Sequence, residues 1–342
     1  MSPPVYRFDR AQSPTAMPMR DGAEARVFEA PRFTGTLCRD MYGDLPLGLL
    51  RLSDATIRGS SGYIFLGDTP ILEQNADFLR NKKFLRPRFH EISAPSAPTL
   101  EVEELITLKS RCHHYFWHWL MDSLPKVFLA EESGFKGSYL IPSPSEAPWA
   151  AESLRLVGIQ EARIALAECR DVHAQKLFVP TYFCGYNAIH NPDFTRSARE
   201  WIRAAIQSSP RTRSSRIFVG RRELGKARNI REQASLERLL AEFGFTTVYF
   251  EDHSLGEQIS IASGAEVLIG GHGSGLTHSL FMDEGSLVVE LFPFKRRQTN
   301  DCYEMLSSVI RHRYFGVETP TDRGSDIEVD QAALRELLAR EI

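Results

Sequence analysis

The 342-residue chain has no apolar run approaching the roughly 18 residues that cross a bilayer, and its first 20 residues lack the apolar stretch of a secretory signal. A soluble, cytoplasmic protein with no integral membrane segment is expected. Cysteine is scarce: Cys38, Cys112, Cys169, Cys184 and Cys302 form an odd, scattered set without CxxC spacing, which indicates neither a disulfide framework nor a thiolate zinc site. Charge of one sign is lacking too. Forty-one Lys plus Arg against 44 Asp plus Glu leave a net −3, so no global field points to nucleic acid or an anionic membrane surface. Any anion must be met locally. Internal repeats and low-complexity tracts are missing as well.

What is present is a globular composition, 42% hydrophobic and 25% charged, at a length that suggests two domains. Residues 1–35, rich in Pro, Ala and Arg, read as an N-terminal arm. Residues 36–190 read as a first domain. It opens with short strands over 47–73 and continues with a helix over 113–134 that Pro125 kinks or breaks near Leu124. Two strand-like segments, SYLIPSP and KLFVP, then bracket a helix over APWAAESLRLVGI, a strand–helix–strand unit. Residues 191–325 alternate more regularly. Strands over 216–219, 246–250, 266–270 and 287–291, with helices between them, predict a parallel, doubly wound half. Residues 326–342 end in an amphipathic helix.

The sharpest local feature is VLIGGHGSGLTHSLF (267–281), a strand entering a glycine-rich turn that opens a helix. Gly270, Gly271, Gly273 and Gly275 permit tight turning, and the exposed N–H groups with the helix start suit an anion. His272 and Thr277 can add side-chain donors. The turn matches neither GxGxxG nor GxxxxGK[ST], and Ser274 lies outside a GxSxG elbow. A purely structural turn with His272 as a cap is the bland alternative. A second loop, RRELGKAR (221–228), follows the strand RIFVG and places Arg221, Arg222, Lys226 and Arg228 at another strand's carboxyl end. Guanidinium forks suit diphosphate oxygens. Its bland alternative is a solvated basic loop.

His114, His118 and Asp122 recur every four residues and share one face of a continuous helix. An Asp one turn from a His can hold its tautomer, which suits a general base acting on a sugar hydroxyl. Of the two, Asp122 ranks slightly ahead of His118, because a carboxylate is mostly deprotonated near neutral pH. Histidines at i and i+4 can also chelate zinc, but HExxH and a third-ligand pattern are lacking, so no metal is assigned. Glu251 and Gln258 flank the next helix start, and Glu290 closes LVVEL at a position from which an acid accepts ribose hydroxyls. For Asp252, helix capping is the expected role.

YFWHWLMDSLPK (115–126) resembles the "HWLLD-x-LPR" block of glycosyltransferase family 61, a group found beside capsular polysaccharide genes. RIFVGRRELGKARNIRE (216–232) is similar to that family's second block. The third and most specific block is Glu257-Gln258, then AEVLIGGHGSGLTHSLF (265–281), then VVELFP (288–293). The resemblance implies an α/β, GT-B-like architecture of two Rossmann-like doubly wound domains facing a cleft. It further implies an inverting, metal-independent transferase using a nucleotide-sugar donor and no other cofactor, in surface polysaccharide biosynthesis. The acceptor would be a glycan or lipid-linked glycan, the latter bringing the enzyme to the inner membrane peripherally. Carried over by position, Arg221, Arg222 and Arg228 would meet donor phosphates. His272, Gly273, Ser274, Gly275 and Thr277 would form the donor loop, Glu290 would hold ribose, and His118 and Asp122 match the first block. The sequence departs from the pattern at His278 and Arg231, where the family has Asn, which motivates the rival reading of a non-catalytic nucleotide or glycan-binding module. A metal hydrolase built on His114 and His118 is the second rival.

Overall fold

A computed structural model describes residues 26–29, 48–59, 61–67, 69–70, 100–110, 112–166, 171–180, 192–206, 216–222, 228–293, 301–318 and 326–342. Apart from 26–29, the expected arm lies outside these, as does Lys226. The chain divides into two compact units, Met1–Trp201 and Ile202–Ile342.

In the first unit the strands are β1 (Arg26–Glu29), β2 (Gly48–Arg58), β3 (Tyr63–Leu66), β4 (Thr69–Pro70), β5 (Leu100–Thr107), β6 (Ser138–Ile141), β7 (Ile164–Leu166) and β8 (Val172–Pro180). They make one sheet in the order β4-β3-β2-β8-β5-β6-β7, with β1 beside β2. The sheet is mixed, not doubly wound throughout: β8, β5, β6 and β7 run parallel, while β1 to β4 pair antiparallel and β2 joins β8 antiparallel. The cause is connection length. The turn between Arg58 and Tyr63, closed by the Gly62 N–H donating to Gly59 O at 3.2 Å, allows only a hairpin, whereas a parallel pair needs a crossover of a dozen or more residues.

The parallel part has such crossovers. After β5 comes a helical turn (Phe116–His118), a π-helical stretch (Trp119–Ser123) and α1 (Leu124–Glu132). The π geometry has a local origin. Pro125 has no N–H to give to residue 121, and the preceding Leu124 N–H donates to Trp119 O, one residue wider than an α-helix. The expected interruption is therefore a change of helical register. Helix α2 (Trp149–Leu156) links β6 to β7, and α3 (Pro192–Ile206) starts beside α1, with the rings of Phe194 and Trp201 both packed at a tilt against Phe128.

In the second unit five parallel strands, β9 (Arg216–Val219), β10 (Thr246–Val248), β11 (Val267–Gly271), β12 (Leu287–Leu291) and β13 (Arg313–Val317), stand in the order β10-β9-β11-β12-β13. Counted within the unit this is the doubly wound order 2-1-3-4-5, whose connections diverge between β9 and β11. β11 and β12 are buried at every position, as strands covered on both faces must be. Helices α4 (Gln233–Glu242), α5 (Leu255–Ser263), α6 (Cys302–Ile310) and α7 (Gln331–Glu341) complete the unit. α6 and β13 have no counterpart in the elements expected from sequence. The core gathers Phe218, Ile269, Val289 and Leu291 from the sheet with Leu236, Leu240, Leu334 and Leu338 from α4 and α7. Among the described residues no helix is long and apolar enough to cross a membrane.

Ile269 is fully enclosed at the middle of the central strand. Ile269→Ala is expected to destabilise the second unit by about 2–5 kcal/mol through lost burial and the cavity left behind, read as a lower urea midpoint.

Candidate functional site

The second unit's site forms where β9 and β11 end side by side. The His272 N–H donates to Leu291 O at 2.8 Å, extending the β11–β12 ladder by one residue before the chain turns. At Gly273 φ is +155° and ψ 177°, a conformation nearly closed to side chains, and a Cβ there would collide with the Arg221 guanidinium. A Cβ on Gly275 would lie 2.7 Å from Val219 Cγ1, so only glycine lets the turn rest on the end of β9. Ser274 then opens an eight-residue 3-10 helix, Ser274–Phe281, where an α-helix was expected.

The N–H groups of Gly273, Ser274 and Gly275 find no acceptor among the described residues. The Gly273 carbonyl is held from below, accepting from Tyr303 Oη at 2.6 Å and from the Leu276 N–H at 3.0 Å. Arg221 lies against this turn. Its Nη1 donates to Arg228 O at 2.7 Å, and its own N–H donates to Gln233 Oε1 at 3.2 Å. Among the described residues no carboxylate lies within ion-pair distance of its guanidinium. Burial, and secondarily the Arg228 charge, hold its pKa below the usual arginine value. The arrangement is a set of open amides with a half-buried cation beside them that has no ion-pair partner among the described residues, which is what an oxyanion needs.

His272 and Glu290 lie beneath. The His272 Nδ1–H donates to Glu290 Oε1, and Tyr314 Oη donates to Glu290 Oε2 at 2.6 Å. Glu290 has 0% exposure and both oxygens are taken, so it does not stand open to ribose as expected; it orients His272. The His272 ring is 5% exposed, parallel to Phe292 and edge-on to Tyr303. Tyr303 and Tyr314 were missed from sequence because α6 and β13 were. The helical pattern of CYEMLSSVI and the aromatic run RYFGV were the available signals.

Other expected donor-site residues are placed differently. Arg222 forms a two-pronged pair with Asp252 and stacks over Tyr249, so its charge is matched on the surface. Asp252 accordingly is not the cap of α5; Ser254 is, in a capping box with Glu257. Arg228 is exposed with a left-handed backbone. Thr277 is fully buried and cannot offer a donor at the surface. Glu251 is exposed on the 3-10 turn Phe250–Asp252. Gln258 donates to Phe250 O and His253 O, both at 2.9 Å, and its side-chain amide meets His278 Nε2 at 2.9 Å. His278 also bonds Gly275 O at 2.8 Å and stacks on Phe250 with centroids 3.6 Å apart. It supports the turn from the protein side.

In the first unit, His118 Nδ1 and Asp122 Oδ2 are 2.6 Å apart across one turn, both side chains 15% exposed. Trp119 Nε1, donating to Ser153 Oγ at 2.9 Å, and Ser123 Oγ, donating to Leu108 O at 3.1 Å, fix the segment against the carboxyl end of β5. Asp122 Oδ1 is enclosed with no hydrogen-bond partner. His114 does not join this face. Tyr115 is the extended cap before the helix, which leaves His114 outside it, exposed and packed at a tilt against Tyr115. Among the described residues no three His, Cys, Asp or Glu side chains converge as a metal site. His113, not singled out from sequence, is buried and accepts the Ser110 N–H at Nδ1, 3.1 Å away.

The model of the Glycosyltransferase 61 family matches residues 116–289, from the helical turn before the π stretch to β12. Among curated proteins, a protein named Protein O-linked-mannose beta-1,4-N-acetylglucosaminyltransferase 2 from Xenopus tropicalis is 40% identical over 67 residues, 19% of this chain and 12% of its own length. Its Mus musculus counterpart is 37% identical over the same extents, and the Homo sapiens one 42% over 48 residues, 14% of this chain and 8% of that one. The matched stretch is thus a small part of these relatives.

Burial lowers the pKa of both His113 and His278 to about 4. Between pH 6.5 and 4 the unfolded chain therefore binds protons that the folded one refuses, so stability is complete above pH 6.5 and falls as the pH drops through that window. The loss is expected to reach about 3 kcal/mol per histidine. Urea unfolding at several pH values should give a smaller fall in His278→Asn than in the wild type, and an identical fall would refute the assignment.

Proposed function

Because the chain belongs to the Glycosyltransferase 61 family, we propose that it moves a sugar from a nucleoside-diphosphate sugar to a hydroxyl of a glycan acceptor, inverting the anomeric carbon without a bound metal. The observation that carries this reading is the set of open amides at Gly273–Gly275 beside the Arg221 guanidinium, at the divergence point of a doubly wound sheet. Ligands of such sheets bind there, and donors placed at developing phosphate charge do the electrostatic work of a divalent cation. Arg228 would add a second cation. Arg222, paired with Asp252, contributes less.

The proposed step begins at the acceptor hydroxyl. Its proton passes to His118, its oxygen bonds to the anomeric carbon, and the carbon–oxygen bond to the diphosphate breaks, with the electron pair leaving on the nucleoside diphosphate. Asp122 is the positioning residue. Its Oδ2 faces His118 Nδ1 and its Oδ1 is enclosed, which reverses the order of preference drawn from ordinary pKa values. A GT-B-like organisation, with the Ile202–Ile342 unit on the donor side and the Met1–Trp201 unit on the acceptor side, is part of the proposal. So is a cytoplasmic role in surface polysaccharide biosynthesis, on a free or lipid-linked glycan. The activity in the relatives' name makes N-acetylglucosamine donors the first to test.

A thermal-shift panel of nucleoside diphosphates and nucleotide sugars, with and without a chelator, tests the donor reading. At least one should raise Tm equally in both conditions, and Arg221→Ala should abolish the shift. With that donor, His118→Ala and Asp122→Ala should lower turnover by about 10²–10⁴-fold while binding the diphosphate normally. Full turnover in both variants would remove the base assignment; a panel without any shift would remove the donor reading.

A further inference from the structure

The His272–Glu290 pair has no part in the step just described, although it lies directly under the anion turn. A carboxylate only accepts hydrogen bonds, so Glu290 fixes His272 with its proton on Nδ1. Nε2 has no hydrogen-bond partner among the described residues, in a side chain 6% exposed. Every change in the imidazole's charge therefore takes place at Nε2. Charge balance sets its direction. A diphosphate diester carries two negative charges, while Arg221 and Arg228 supply two positive charges and Glu290, on β12 beneath the turn, one negative. With a neutral imidazole Glu290 offsets one of the two arginines, and the bound dianion would face a buried carboxylate in a low-dielectric setting. An imidazolium cancels Glu290 and leaves both arginines to the two phosphate charges.

We propose that His272 is a proton-carrying phosphate ligand: its Nε2 takes up a proton from solvent as a diphosphate settles on the Gly273–Gly275 amides and donates it in a hydrogen bond to a phosphate oxygen. Glu290 and Tyr314 are its positioning residues. The inference rests on the donor reading above and extends it, making phosphate affinity depend on the proton concentration. The groups facing His272 do not compete for this role. Tyr303 and Cys302, both on α6, keep their protons far above their usual ranges because they are buried. Tyr314 donates to Glu290, and Arg221 and Arg228 are cations at any working pH. After transfer, the proton held at Nε2 stays with the leaving diphosphate's site until the product departs.

Inorganic pyrophosphate is the probe, because it needs no knowledge of the base or the sugar. Its Kd is measured for the full chain and for His272→Gln at about pH 6 and about pH 9, so that pyrophosphate's own titration cancels in the ratio. The variant should bind about tenfold more weakly at the lower pH and within about twofold at the higher. In Glu290→Gln the wild-type advantage should vanish at a lower pH, since the imidazolium has lost its partner. A His272→Gln ratio that is the same at both pH values overturns this proposal and leaves the donor reading standing. If pyrophosphate fails to bind, or binds Arg221→Ala as tightly as the wild type, the donor reading falls and this proposal with it. Should His272→Gln not fold, nitrogen NMR of the wild-type imidazoles decides, with His272 identified by its shift in Tyr314→Phe. Protonation at Nε2 on adding pyrophosphate supports the proposal, and an unchanged lone pair overturns it.

Discussion

A carboxylate near the end of a fully covered parallel strand is costly unless each oxygen is matched, and the second unit is arranged around matching Glu290. Meeting that demand recruits the residue after β11 and a tyrosine of β13, so three neighbouring strands are tied through one side chain. His272 is fixed by its ring and by its N–H, which holds the start of the turn in place. Tyr303 then takes the Gly273 carbonyl from α6. The N–H groups of Gly273, Ser274 and Gly275 are left without an acceptor among the described residues, while the carbonyls of Gly273 and Gly275 are taken. Glycine makes the path possible, but the pinning comes from side chains far away in sequence.

The first unit builds a related pair by other means. His118 and Asp122 are one helical turn apart, and the local change to π geometry before Pro125 sets the register in which they meet. There the constraint is a missing N–H rather than a buried charge. Ser123 and Trp119 transmit it to the β5 end and to α2. Two histidine–carboxylate pairs thus sit at strand ends of separate units, one local in sequence, the other assembled across 18 residues and two strands. Only the first kind is visible as a spacing.

That difference explains what the sequence discloses. The alternation of the second half is legible because buried parallel strands are short β-branched runs between amphipathic helices, and VLIGG and LVVEL have that form. The glycine turn is legible because its residues are contiguous. β13 is less so: RYFGV is half-exposed and lacks an apolar run, and without it Tyr314 has no partner in view. Glu290 then looks like an acid at a strand end, free to meet ribose. Arg222 looks like a phosphate ligand until Asp252, 30 residues on, is found in its guanidinium fork. The mixed character of the first sheet is likewise a matter of pairing, since β2 and β8 meet across more than a hundred residues. Pattern discloses elements, whereas the balance of charge and hydrogen bonds depends on which elements become neighbours.

The two departures from the family pattern illustrate the point from the other side. A histidine in place of asparagine at 278 would matter directly if that side chain met the ligand. It is instead buried against Phe250, reaching Gly275 O and Gln258, and these are contacts an asparagine could make only in part. Arg231 faces Asp326 and Glu328 at 4.0 and 3.9 Å, next to the bridge between Ile230 and Ile327. Neither residue contributes to the open amides or to Arg221. A loop that binds through its backbone tolerates exchanges in the side chains supporting it, provided the carbonyls beneath remain satisfied. Here they are: Gly273 O by Tyr303 and Gly275 O by His278. The observation that favoured a module without catalysis therefore loses its force, because the exchanged residues belong to the support and not to the anion turn.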